Sequence, residues 1–189
     1  MHENLKLTIN KLVTLTESDC NSLLSSFEYS ILNKNDDLDD RINNVDSFVF
    51  VEEGLLQQSV FAENGTEFIF CFHETNDFFK RVVPKNNKEF QNKKVRSVGT
   101  TVIYSISRSK LEQLSKKING LLGLLLKIAQ KTALLMESRI NNLMAASAEI
   151  RYVQFQSNYP NLIDKISKQQ MASFLGISPQ HYSRLIRAR

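Results

Sequence analysis

Residues 163–187, IDKISKQQMASFLGISPQHYSRLIR, constrain the fold more than any other stretch of this chain. Ala172 falls where two short helices would cross, and only a small side chain permits that approach. Four residues on, Gly176 supplies the positive φ that a tight turn between steeply angled helices requires. Met171, Leu175, Ile177, Tyr182 and Leu185 are spaced to form a small core between those helices. Ser178 offers an N-cap oxygen, and Pro179 fits the first helical turn, where its missing N–H is no loss. The pattern predicts a helix-turn-helix. Gln180, His181, Ser183, Arg184 and Arg187 fall on the remaining faces of the second helix, where they can reach base edges or phosphates. Any amphipathic helix pair with a glycine turn shows part of this pattern; here small residue, turn, cap and basic face coincide.

Charge points the same way. The chain nets +4 from 24 Lys and Arg against 20 Asp and Glu. Within 160–189, Lys165, Lys168, Arg184, Arg187 and Arg189 against Asp164 also give +4, so the rest balances out. Positive charge gathered at one end is an electrostatic footprint for polyanions. Residues 1–60 are acidic, with Asp36, Asp37, Asp39 and Asp40 clustered. Residues 80–96 are basic through Lys80, Arg81, Lys85, Lys88, Lys93, Lys94 and Arg96, a run that reads as a solvated loop.

At 189 residues and 42% hydrophobic content, the chain can bury one ordinary core and a smaller one. Leu121–Ala129 is interrupted by Lys127 and falls short of the roughly 20 apolar residues of a membrane span. The start, MHENLKLTINKLV, lacks the pattern of a signal peptide. Cys20 and Cys71 stand in unrelated contexts, giving neither a disulfide framework nor a metal spacing. A reduced, soluble, cytoplasmic protein with no cofactor and no bound metal is expected.

Residues 4–32 show helical spacing through Leu5, Ile9, Leu12, Leu23, Leu24, Phe27 and Ile31, with Thr16 as an N-cap. The Asn/Asp-rich stretch 33–46 reads as a loop. From Ser47 the pattern turns to strands: two β-branched and aromatic runs surround Glu53-Gly54, and Asn64-Gly65 signals a hairpin into TEFIFCFH. A further strand pair spans 95–107, with Gly99-Thr100 as its turn. These short strands suggest an antiparallel roll or barrel filled by Phe and Val.

After a short helical piece at Ser109–Leu114 comes a long helix with two apolar stripes. Ile118, Leu121, Leu125, Ile128, Thr132, Leu135 and Arg139 recur at spacings of three and four, a seam expected to face an identical helix. Leu122, Leu126, Ala129, Ala133, Met136, Ile140 and Leu143 form the second stripe, expected to pack on the β-domain. Burial of the whole helix inside one monomer is the alternative.

This order of elements resembles the cyclic-AMP receptor/fumarate-nitrate regulator (Crp/Fnr) family of bacterial transcription factors. The strongest blocks are ISRSKLEQL at 106–114 and KISKQQMASFLGISPQHYSRLIR. The resemblance implies an α+β chain: an N-terminal antiparallel β-roll, cupin-like and cyclic-nucleotide-binding-like, over 1–115; a dimerisation helix over 116–145; and a helix-turn-helix domain over 146–189. It implies a homodimer on an inverted repeat of double-stranded DNA, with RNA polymerase as a further partner and no membrane. Positions falling on Pro179, Gln180 and Arg184 would meet base edges, and Ser178 and its neighbours phosphate. Lys168 and Gln169 complete the expected DNA-contacting set.

Two departures from the family pattern stand out. Members usually continue into a β-hairpin wing, whereas this sequence stops at Arg189, so a full wing is expected to be missing. Nucleotide-binding members hold the cyclic phosphate and ribose with a Gly-Glu pair on a short helix and an Arg-Ser/Thr pair; these places fall on Lys80, Arg81, Gln91 and Asn92. A cation replaces the ribose-binding carboxylate and an amide replaces the phosphate-binding cation, so cyclic AMP is not the expected ligand and the effector stays unidentified. An iron–sulfur sensor needs about four cysteines. Cys71 and His73 share one strand face and give thin support for haem; a buried Cys and a half-exposed His is the plainer reading. No catalytic motif appears, so an enzyme is not expected. The competing function is a ligand-binding β-roll that has lost DNA binding.

Overall fold

The computed structural model describes residues 3–43, 46–81 and 92–188. Its elements run α1 (Glu3–Leu12), α2 (Glu17–Leu24), β1 (Glu28–Leu32), a 3₁₀ turn (Leu38–Asp40), β2 (Ser47–Glu53), β3 (Leu55–Phe61), β4 (Glu67–Glu74), β5 (Phe78–Arg81), β6 (Lys93–Ser97) and β7 (Thr101–Ser107). Five further helices follow: α3 (Arg108–Ser115), α4 (Leu121–Ala145), α5 (Ala148–Asn158), α6 (Lys168–Leu175) and α7 (Pro179–Arg187).

The strands form two antiparallel sheets, β1-β7-β2-β5 and β4-β3-β6, and the chain crosses between them at tight turns. Gly54 makes one crossing at φ 106, and a Cβ there would lie 2.7 Å from the Thr100 carbonyl oxygen. Leu32, Leu38, Val49, Val51, Leu56, Phe79, Val95 and Ile103 fill the space between the sheets. In β4, Phe70 is an extra residue, because Gln58 pairs with Cys71 while Ser59 pairs with Ile69. That bulge lets Ile69 and Phe72, three apart, both join a second core shared with the C-terminal helices.

Thr16 caps α2 as expected, its hydroxyl accepting from the Asp19 N–H at 3.1 Å. The helical reading fails at 28–32: Glu28–Leu32 is the edge strand β1, paired with β7 from Glu28–Ser105 to Leu32–Thr101. The basic run is not one solvated loop in its described parts. Lys80 and Arg81 lie on β5 and Lys93, Lys94 and Arg96 on β6; Lys85 and Lys88 fall outside the described residues. Lys80, Arg81, Lys94 and Arg96 pair with Asp46, Asp39, Asp37 and Glu67, so acidic and basic runs answer one another across the roll.

The long helix reverses the expected assignment of its stripes. It begins only after Gly120, whose φ of 90 breaks the chain from Ile118. Ile118, Leu121 and Ile128 are buried against α1 and α2, in a core with Leu5, Ile9, Leu23 and Phe50, and Leu125 packs partly against it. Thr132 is half-buried and returns its hydroxyl to the Ile128 carbonyl at 2.9 Å. Arg139 turns inward onto α6, its guanidinium carbon 4.0 Å from the Phe174 ring centre. Of the expected outer seam, only Leu135 is well exposed. The other stripe faces outward instead, with Leu122 at 65%, Leu126 at 58% and Ile140 at 55% exposure, beside exposed Ala129 and Ala133. Periodicity reveals two apolar faces; α1, anchored through Glu52 on the Asn4 and Leu5 N–H groups, decides which one is covered.

Candidate nucleic-acid interface

The C-terminal unit follows its local chemistry closely. Ser167 and Gln170 form a reciprocal capping box at the start of α6: the Ser167 hydroxyl accepts from the Gln170 N–H at 3.2 Å, and the Gln170 side-chain Oε1 accepts from the Ser167 N–H at 2.8 Å. Gly176 ends α6 at φ 67, with Ile177 N–H donating to Ala172 and Gly176 N–H to Ser173, a Schellman closure. A Cβ at Gly176 would also press on Leu143 Cδ2 at 3.2 Å. Ser178 then caps α7, accepting from the His181 N–H at 3.1 Å, with Pro179 in the first turn.

Met171, Ala172 and Leu175 of α6 and Tyr182 and Leu185 of α7 are buried together, as their spacing requires, and α5 completes the support through Tyr152 and Phe155. α5 is not set apart as an element by the helix-turn-helix pattern itself. Its Ser147 cap and its aromatic residues were visible signals, but their role depends on the partners they meet.

The inner face of α6 is fastened to the roll. Ser173 Oγ accepts from the Ile69 N–H and donates to the Glu67 carbonyl, both at 2.9 Å, and Gln170 Nε2 donates to Gln57 Oε1 at 2.5 Å. Phe72 of β4 meets Phe155 and Phe174 at ring separations of 6.3 and 5.3 Å. The outer face of α7 is left free: Pro179, Gln180, Arg184 and Arg187 are exposed and Ser183 half-buried around one shallow groove, with His181 half-buried beside them. Lys168 and Gln169 are exposed at the start of α6, and Ser178 at the turn. Among the described residues, no carboxylate lies within ion-pair distance of Lys168, Arg184 or Arg187. Pro179 lies in the α7 groove and also, with Gln169 and Ser178, along a second hollow, so these residues share one surface that runs from α6 to α7. That hollow is a cleft of about 850 Å³, whose far wall is the β3–β4 hairpin around Phe61, Gly65 and Phe68.

No protein-family profile and no curated protein matches this sequence. Solved structures do match. A mutant of CooA from Carboxydothermus hydrogenoformans superposes with a TM-score of 0.68 at 17% identity, over 93% of this chain and 85% of that one. A cyclic nucleotide-binding domain containing protein from Listeria monocytogenes gives 0.68 at 13% identity, over 98% and 90%. A putative transcriptional regulator of the Crp/Fnr family from Eubacterium rectale gives 0.62 at 15%, over 92% and 83%. The fold is of the Crp/Fnr type.

Within this Crp/Fnr-type fold, Lys80 and Arg81, two of the residues expected to line an effector pocket, do not converge. Lys80 and Arg81 are neighbours on strand β5, not on a short helix, and so point to opposite faces. Lys80 faces out over the Phe48 ring at 5.9 Å. Arg81 is 2% exposed and gives Nε to Asp39 at 2.8 Å and a terminal nitrogen to the other Asp39 oxygen. Asn92 is exposed, and Gln91 lies outside the described residues.

His73 is not half-exposed as expected but buried: its ring stacks on Phe79 at 3.9 Å, and Nε2 meets Gln58 Oε1 at 3.1 Å. Burial holds its pKa down, at about 4. Burial, reinforced by Asp77, pushes the neighbouring Cys71 thiol up to about 12. A neutral, enclosed thiol is a poor nucleophile and a poor metal ligand. Among the described residues no group of three His, Cys, Asp or Glu side chains could hold a metal, and no described helix is long and apolar enough to cross a membrane.

Proposed function

We propose that the chain is a homodimeric, DNA-binding transcription regulator that reads an inverted repeat through α7. One observation carries the reading: a correctly capped helix-turn-helix is fixed to the roll by its inner face, while Arg184, Arg187 and Lys168 on its outer face meet no carboxylate among the described residues. Arg184 is the residue for a bidentate contact to guanine O6 and N7, and Lys168 for a phosphate. Arg184→Ala should weaken binding to the cognate site by about 1–3 kcal/mol and relax preference at one base position. Lys168→Ala should weaken all sequences alike and lower the salt slope by about one phosphate's worth. Titration against matched and mismatched duplexes separates the two; equal losses on every duplex for Arg184→Ala would make it a phosphate contact.

The dimer reading rests on the outward stripe of α4. Leu122, Leu126, Ala129, Ala133, Met136, Ile140 and Leu143 repeat at alternating spacings of four and three, the pattern that packs against an identical helix. Leu126→Glu should leave the fold intact, since the side chain is 58% exposed, but halve the mass seen by sedimentation at micromolar concentration. A monomeric wild-type protein under those conditions would remove this part of the proposal.

The roll does not hold a cyclic nucleotide in this reading, since Arg81 is engaged by Asp39 and Lys80 faces out of the roll. Calorimetry with cyclic AMP or cyclic GMP at submillimolar concentration should give no binding heat. Saturable heat with either nucleotide would overturn that statement without touching the DNA-binding one.

A further inference from the structure

We propose that the joint between α4, α5 and the C-terminal end of α6 binds a small inorganic oxyanion, of nitrate to phosphate size, between Arg139 and Arg151. A cavity of about 60 Å³ lies there, lined by both arginines with Cys71, Gln154, Tyr159 and Phe174. Arg151 donates Nε to the Leu175 carbonyl at 2.9 Å and a terminal nitrogen to the Ala146 carbonyl at 2.6 Å. Arg139 donates a terminal nitrogen to the Phe174 carbonyl and covers that residue's ring. These acceptors are neutral carbonyls near helix ends. Among the described residues no carboxylate lies within 4.0 Å of either guanidinium in an ion pair.

Among the described residues the two cations therefore share a partly buried wall with no carboxylate counter-ion, and the C-terminal carbonyls of α4 and α6 offset only part of the cost. The other titratable groups facing the cavity, Cys71 and Tyr159, are held protonated by burial and add no negative charge. Burial and the neighbouring Arg151 pull Arg139 down to about 10, so it still carries its charge at neutral pH.

Two buried polar atoms of these lining residues have no hydrogen-bond partner among the described residues: Arg139 Nε and Gln154 Oε1. A single oxyanion answers both, accepting from Arg139 Nε and, with the Gln154 amide turned over, from its NH₂ group. Water would satisfy the hydrogen bonds but leave the charge. The cavity has room for a few waters or one small polyatomic anion, and excludes a nucleotide or sugar. The planar guanidinium fork suits an oxyanion better than a halide. Since the carbonyl groups come from α4 and α6, an occupied site would tie the helix-turn-helix to the long helix.

The test is thermal melting of the full chain in sodium nitrate, sodium phosphate or sodium chloride at matched ionic strength. One oxyanion, planar or tetrahedral, should raise the wild-type Tm saturably, by roughly 5–10 °C at a hundredfold excess over Kd, and chloride should not. Gln154→Glu places a carboxylate beside the arginines, so its Tm should start higher and respond no further. Arg139→Lys keeps the charge but loses the fork, and should shift the half-saturating concentration by about tenfold. An equal rise with chloride, no saturable rise at all, or an unaltered response in Gln154→Glu or Arg139→Lys would overturn the proposal.

Discussion

Phe155→Ala should cost the protein about 3–5 kcal/mol of folding stability, the range for an aromatic ring removed from a packed core. Phe155 is 2% exposed and sits where three elements meet. Its ring lies 5.2 Å from Tyr159 and 5.2 Å from Phe174 of α6, and 6.3 Å from Phe72 of the roll. Each of those rings loses a wall when it goes, and α6 cannot slide in to fill the gap while Ser173 and Gln170 hold it to β3 and β4. Urea unfolding provides the measurement, with Phe68→Ala as the control. Phe68 is 45% exposed, and its removal should change stability by no more than about 0.5 kcal/mol. A loss below about 1 kcal/mol in Phe155→Ala would mean that α5 does not join the roll to the helix-turn-helix.

The second large effect is on pH. His73 is neutral in the folded chain down to about pH 4, against an ordinary value of 6.5. Between those two values the unfolded chain binds the proton and the folded chain does not. Protonation therefore favours unfolding, and stability falls as pH drops through that window. With 1.36 kcal/mol per pKa unit, the loss from His73 alone is on the order of 3 kcal/mol by pH 4, and above pH 7 it contributes no slope. Urea midpoints between pH 7 and 5 read this before most carboxylates titrate. His73→Gln should flatten the slope in that interval; an unchanged slope would place the titration elsewhere.

The parts of the fold legible in the sequence are those set by local chemistry. Ala172, Gly176, Ser178 and Pro179 do what their side chains dictate within a few residues, and the structure puts each in the expected role. Strands β2, β3, β4 and β7 announce themselves through β-branched and aromatic runs between turns, whereas the start of β6, KKVRS, is masked by its lysines. What was not legible depends on distant partners. β1 takes its strand form from β7, some seventy residues away, which its own five residues cannot reveal. The inner stripe of α4 carries Thr132 and Arg139 while the outward one is apolar throughout, so composition alone does not pick the covered face; the docking of Leu5 and Ile9 does. His73 is buried because Phe79 of another strand covers it. Arg139, expected in the seam that faces an identical helix, instead reaches α6, a contact no spacing rule encodes.

In the function proposed, α7 reads DNA as one half of a two-fold pair. The direct measurement is selection from a random duplex library at low salt, followed by titration of the enriched sequence with the protein stoichiometry recorded. Two chains per duplex are expected on an inverted repeat with half-sites about one helical turn, roughly 34 Å, apart, with affinity falling steeply as salt rises. Absence of binding at low salt, or enrichment of a single unpaired half-site by one chain, would contradict that function.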